Sequence, residues 1–263
     1  MRLLVSVVSA EEARSALAGG ADIVDVKDPA EGPLGAPSPR VLCEVVRVVG
    51  TAAPVSVALG DLPNLPHTAA LAARGAQLSG AAYVKVGLRG VRELDAAVAL
   101  MKAVADAVGP GTALIAAGYA DADVLDPPAL APAWLPVLVE RAGISGALVD
   151  TFLKDGRGLY GWLSDGELSE LIARTRRAGG TFGVAGQLTI GQLRRVAADV
   201  VGVRSAVCRG GDRTAELDPE LVAAASAEVR GDGAHQPQVI RVPTPPGART
   251  TAVTPVRRTA SAK

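Results

Sequence analysis

Cysteine and histidine are almost missing from this chain, which holds two of each, Cys43, Cys208, His67 and His235, all far apart. With no CxxC pair and no cluster of these residues, a cysteine-rich zinc site is excluded, and no motif requires a metal or another cofactor. Aromatics are scarce as well, 3% against 49% hydrophobic residues. The core must then be built from Ala, Val, Leu and Ile, which suits short buried strands covered by Ala-rich helices. An excess of either charge is also lacking: 27 basic residues balance 27 acidic ones. Such a chain has no global attraction for nucleic acid or an anionic membrane, so a phosphate would have to be caught locally. The amino terminus turns acidic at Glu11 and no stretch approaches the ~20 apolar residues of a membrane span. No signal peptide is expected, and the reducing cytoplasm is the expected compartment. Lysine is the last scarcity. Among the basic residues it stands only at 27, 85, 102, 154 and 263.

What is present is a regular beat. Apolar strand-like runs at 3–8, 21–28, 54–60, 81–88, 112–119, 146–152, 181–186 and 198–208 alternate with amphipathic stretches such as 10–20, 38–50, 92–109, 135–143 and 168–180. Several of these stretches end in Gly, as a helix C-cap would. Eight such units predict an α/β protein, a (β/α)8 TIM barrel over residues 1–231. Periodicity alone leaves a doubly wound open sheet as the other solution. From residue 232 the chain turns Pro- and Thr-rich, and its basic residues outnumber Asp232. That composition predicts a disordered, solvated tail over 232–263. The motifs do not encode an oligomeric state, and a homo-oligomer is compatible with them.

Barrel active sites form where strands end at their carboxyl termini. Lys27 ends the second run, Lys85 lies in the second half of the fourth, and Lys154 follows the sixth by two residues. Three of the five lysines thus converge on one end of the barrel. Strand alternation puts Asp25 on the face of Lys27, and lets Asp150 look inward just before Lys154. A buried lysine is costly when charged and alone; either a carboxylate neighbour or a lowered pKa removes that cost. In the second state it is a nucleophilic amine able to form a Schiff base with a carbonyl, which arginine is not. Purely structural Asp25/Lys27 and Asp150/Lys154 ion pairs are the competing expectation.

A second signal lies at the seventh and eighth runs. "GVAGQLT" offers Gly183 and Gly186, and "VRSAVCRGGDRT" offers Arg204, Ser205, Gly210, Gly211 and Arg213. Small turns there are the usual phosphate cradle of such barrels, with arginines adding charge-assisted hydrogen bonds. "KDPAEGPLGAP", after the second run, reads as a lid over the mouth or as a rigid connection. His67 is expected on a surface loop, Cys208 as a small buried residue ending the eighth strand, and Tyr119 as a packing residue at the mouth.

Taken together, "LLVSVVSAEEARSALAGGADIVDVKDPAEGPLGAP", "YVKVGL", "LVDTFLKDGRGL", "GVAGQL" and "DVVGVRSAVCRGGDR" resemble the (5-formylfuran-3-yl)methyl phosphate synthases over about residues 1–230. The resemblance implies a metal-independent lyase that condenses two glyceraldehyde 3-phosphate molecules with loss of phosphate and water, on a route to the furan of methanofuran. It implies the Schiff-base role for Lys27 and the proton-acceptor role for Lys85, and links Asp25, Asp150 and Lys154 to activity. Another Schiff-base aldolase acting on a phosphorylated sugar, or a non-catalytic phosphometabolite-binding barrel, would share much of this pattern.

Overall fold

Eight short runs of β-branched and small apolar residues set the architecture, since strands buried on both faces read as near-continuous apolar runs. The computed structural model describes residues 1–62 and 64–231; the expected disordered tail falls outside the described residues. The strands are β1 (Arg2–Val7), β2 (Ile23–Val26), β3 (Val55–Asp61), β4 (Tyr83–Gly87), β5 (Ala113–Tyr119), β6 (Gly146–Asp150), β7 (Thr181–Val184) and β8 (Val200–Val203). All pair in parallel in sequence order, and β8 closes on β1 with Leu4 opposite Gly202. The chain is a (β/α)8 barrel, and the open-sheet alternative is excluded.

The covering helices are α1 (Ala10–Ala18), α2 (Pro39–Val49), α3 (Pro66–Leu78), α4 (Leu94–Ala107), α5 (Leu135–Ala142), α6 (Asp165–Arg177) and α7 (Pro219–Arg230). Side-chain caps start several of them: Ser9 accepts from the Glu12 amide, Ser38 from Val41, and Ser164 forms a reciprocal capping box with Glu167. The crossover from β7 to β8 departs from the expected repeat, because it carries only a 3-10 turn, Ile190–Gln192, where an α-helix would stand. His67 also differs from expectation. It lies in the first turn of α3, exposed as foreseen but helical, with Pro66 starting the helix. The eighth strand is shorter than its apolar run, so Cys208 lies beyond a 3-10 turn (Ser205–Val207), buried but not at the strand's end.

Alternation along each strand divides the core into two layers. Leu3, Val5 and Val7, Val24 and Val26, Val55 and Val57, and Val84 and Val86 face outward and pack with the helices' Leu, Val and Ala residues. Each fully buried Val or Leu contributes roughly 1.5–3 kcal/mol. The intervening residues look into the barrel, where Ala58, Gly87, Ala117, Gly183 and Gly202 leave room for long side chains from the other strands. Gly87 is fixed by close approach: a Cβ there would overlap Asp61 Oδ1 and stand 2.9 Å from Gly60 O. Asp61 in turn accepts hydrogen bonds from Tyr119 Oη at 2.9 and 2.8 Å and from the Arg89 amide at 3.2 Å. Gly87→Ala must therefore push Asp61 off Tyr119, and is expected to cost about 1–3 kcal/mol; an unchanged urea midpoint would contradict this packing.

Candidate active site

Lys27 is the one site lysine without a carboxylate partner. Its Nζ donates to Pro33 O at 3.1 Å, and the side chain is 9% exposed. Burial lowers its pKa from 10.5 to about 8, with the positive charges of Lys85 and Lys154 helping and the negative charges of Asp150 and Asp25 opposing. The expectation of an Asp25/Lys27 ion pair is thereby corrected: Asp25 goes to a different lysine.

Lys85 takes that carboxylate. Its Nζ lies 2.7 Å from each Asp25 oxygen, and Ser6 Oγ donates to Oδ2 at 2.9 Å. β1, β2 and β4 supply these three side chains, and Ser6 stands opposite Asp25 in the β1–β2 register. The second pair, from β6 and the turn after it, is the one foreseen. Lys154 Nζ donates to Asp150 Oδ1 at 2.9 Å and to Thr151 O at 2.6 Å, and the Thr151 amide donates to the same carboxylate oxygen at 2.7 Å. Burial alone would push Asp150 up, but Lys154 and Lys27 outweigh it and hold the carboxyl below its usual range.

All three lysines and both aspartates line one cavity, open at the carboxyl ends of the strands. Gly186, Gln187 and Leu188 form one wall, and Arg204, Ser205 and Arg213 another. Of the residues expected to cradle phosphate, Gly186, Ser205 and Arg213 are so placed. Gly183 lies deeper, mid-strand against Leu148 and below the mouth, and Gly210 and Gly211 sit in an exposed 3-10 turn outside it. Arg204 lines the cavity, but its guanidinium is spent elsewhere. It pairs with Glu12 and donates to Ser6 O at 3.1 Å, Arg213 O at 2.9 Å and Ala215 O at 3.2 Å. The arginine is a buried anchor joining β8 to α1.

The stretch after β2 is tied to the body of the barrel by hydrogen bonds and a buried leucine. Asp28 N donates to Gly35 O at 2.9 Å, Leu34 is buried, and Arg213 donates to Gly32 O at 3.2 Å. Tyr119 does more than pack, because burial and the neighbouring Asp61 carboxylate raise its phenol well above the usual value. Sequence reasoning missed Ser6, Glu12 and Gln187. Ser6 had a signal, a lone hydroxyl inside "LLVSVV", whereas Gln187 is marked only by its positive φ of 50° in the turn after β7.

An array of one unpaired, easily deprotonated amine beside two lysine–carboxylate pairs can form an imine and move protons around it. The family model described as 4-HFC-P synthase matches residues 3–226. The chain belongs to the 4-HFC-P synthase family. A relative from Methanocaldococcus jannaschii named (5-formylfuran-3-yl)methyl phosphate synthase is 43% identical over 229 residues, covering 84% of this chain and 97% of the relative. A Methanosarcina mazei relative of the same name is 41% identical over 234 residues, covering 87% and 99%. Among solved structures, phosphoribosyl anthranilate isomerase from Thermotoga maritima matches with a TM-score of 0.59 at 16% identity, over 88% of this chain and 98% of that one, which shows the barrel fold alone. Membership of the 4-HFC-P synthase family makes the chain an enzyme.

Proposed function

We propose that the protein condenses two molecules of glyceraldehyde 3-phosphate, through a Schiff base on Lys27, to (5-formylfuran-3-yl)methyl phosphate, with loss of phosphate and water. The observation that carries this reading is the state of Lys27: buried, without a carboxylate partner, and with its pKa near 8. Such an amine is partly free at neutral pH and attacks an aldehyde carbonyl.

Each neighbouring pair then has a task. Lys85, hydrogen-bonded to Asp25, gives a proton to the hydroxyl of the carbinolamine as it leaves as water. The neutral amine that remains removes the proton from the carbon next to the iminium, and the resulting enamine attacks the second aldehyde. Lys154, paired with Asp150, stands ready to protonate the alkoxide formed in that step. The phosphates would lie against the Gly186–Leu188 turn and Ser205, with Arg213 as the cation. Eliminations and ring closure complete the furan. The route uses only amines and carboxylates of this chain.

The test is incubation of the pure protein with glyceraldehyde 3-phosphate alone. A conjugated furan aldehyde should appear in the ultraviolet while free phosphate rises in step, and borohydride added during turnover should attach the substrate carbon skeleton to Lys27. A six-carbon aldol product that keeps both phosphates would instead mark an ordinary Schiff-base aldolase, and no borohydride adduct would overturn the covalent step.

A further inference from the structure

Beneath the mouth, the barrel interior holds a second cavity, reaching the amino-terminal ends of the strands. Leu4, Lys85 and Leu148 line both cavities, so the Lys85 side chain is part of the partition between them. The lower space is mostly apolar, with Ile23, Ile115 and Val200 among its walls, but it contains polar groups that an apolar void would not. Ser56 is 1% exposed and its Oγ finds no hydrogen-bond partner among the described residues; Arg2 Nη2 is likewise buried without one. Ser56 stands directly opposite Asp25 in the β2–β3 register, so their side chains lie about one strand spacing, ~5 Å, apart. Asp25 Oδ1 touches Lys85 Nζ at 2.7 Å, outside hydrogen-bond geometry, and accepts no hydrogen bond. Ser56 and Lys85 both line this cavity, while Asp25 lines the upper one; a hydroxyl and an ammonium on one gap meet the two partners that a buried water needs at the least. At the base, Arg2, Tyr83 and Thr181 are only half-buried, with Arg2 Nη1 on Tyr83 Oη at 3.2 Å.

We propose that this cavity holds water bridging Ser56 to the Asp25–Lys85 pair, and that it carries protons between Lys85 and the solvent at the base of the barrel. The proposal rests on the lysine chemistry above for its purpose. Two triose phosphates seated in the mouth would cover Lys85 from above while it holds the proton taken from carbon, so that proton would exchange with solvent through the base. There the Lys85 ammonium passes a proton to the bridging water as that water passes one onward, and the water then returns a solvent proton to the Lys85 amine. Ser56 is a positioning residue here, since it touches neither substrate nor the reacting atoms.

Two measurements test this. The first needs no substrate: a high-resolution crystal structure should place water within hydrogen-bond distance of both Ser56 Oγ and Lys85 Nζ, and a dry cavity would overturn the proposal. The second follows turnover in deuterium oxide. The wild type should wash deuterium into recovered glyceraldehyde 3-phosphate at the carbon next to the aldehyde. Val200→Phe, which fills the cavity, and the milder Ser56→Val should each lower that wash-in relative to product severalfold, because the same proton returns to carbon. Borohydride trapping at Lys27 should persist in both, showing the mouth intact. Undiminished wash-in in both variants would sink the relay. A wild type that is never trapped would instead refute the Schiff-base reading, leaving the crystallographic result to decide whether the cavity is wet.

Discussion

Lys27→Arg is expected to lower turnover more than about a thousandfold, because it keeps the charge and much of the stem but removes the amine on which the proposed imine forms. Steady-state product formation from glyceraldehyde 3-phosphate checks this, and appreciable turnover would end the covalent role. The pH dependence has a definite sign. The amine is the reactive form, so kcat/KM should rise with pH and level off above about 8, where Lys27 has lost its proton. Stability should move the opposite way from activity on removal of this lysine. Its folded pKa of about 8 lies below the 10.5 of the free side chain. Between those values the unfolded chain binds more protons, so stability rises with pH across that window, and the full cost is present below about pH 8. That cost is on the order of 3 kcal/mol. Lys27→Met, which keeps the stem volume, should therefore raise the urea midpoint at pH 7 and leave it nearly unchanged near pH 10.5. A fall at pH 7 would show that Lys27 is comfortably charged in the fold.

Removing one partner of the Glu12–Arg204 pair is expected to destabilise the barrel by about 3–5 kcal/mol, because it strands a buried charge. Both side chains are nearly inaccessible, and the guanidinium also satisfies three backbone carbonyls. Arg204→Met should show the loss in urea unfolding, and a Glu12→Leu/Arg204→Met double variant should recover a large part of it. Arg213 gives the contrast. It is half-buried, at the mouth and on neutral carbonyls only, so Arg213→Ala should raise KM for the phosphorylated substrate with little change in the urea midpoint. If Arg204→Met raised KM without loss of stability, the arginine would be a phosphate ligand and not an anchor.

The barrel was legible because each strand is buried on both faces, so every strand left an apolar run, and several helices left a Gly at their end. Two boundaries were misread for physical reasons. The run ending at Cys208 stays apolar past β8 because the following turn is also buried. The β7–β8 crossover, expected only as one of the eight βα units, forms a 3-10 turn at Ile190–Gln192, short enough to join adjacent strands without an α-helix.

The site was legible in part. Lysine is so rare here that Lys27, Lys85 and Lys154 identified themselves, and alternation correctly turned Asp25 and Asp150 inward. Arg204 and Arg213 look alike in sequence, yet one is buried against a helix from the other end of the chain and the other is not.

Residue order by itself determined the eight parallel strand units and the identity of the five side chains gathered at one end of them, since strand period and lysine scarcity are local properties, whereas closure of the sheet was decided by the tertiary pairing of β8 with β1. Tertiary structure alone decided which carboxylate holds which lysine, and so which amine is left without one. Asp25 reaches Lys85 across sixty residues of chain, a pairing set by barrel curvature and by the small residues that make room for it, and no local pattern contains that information.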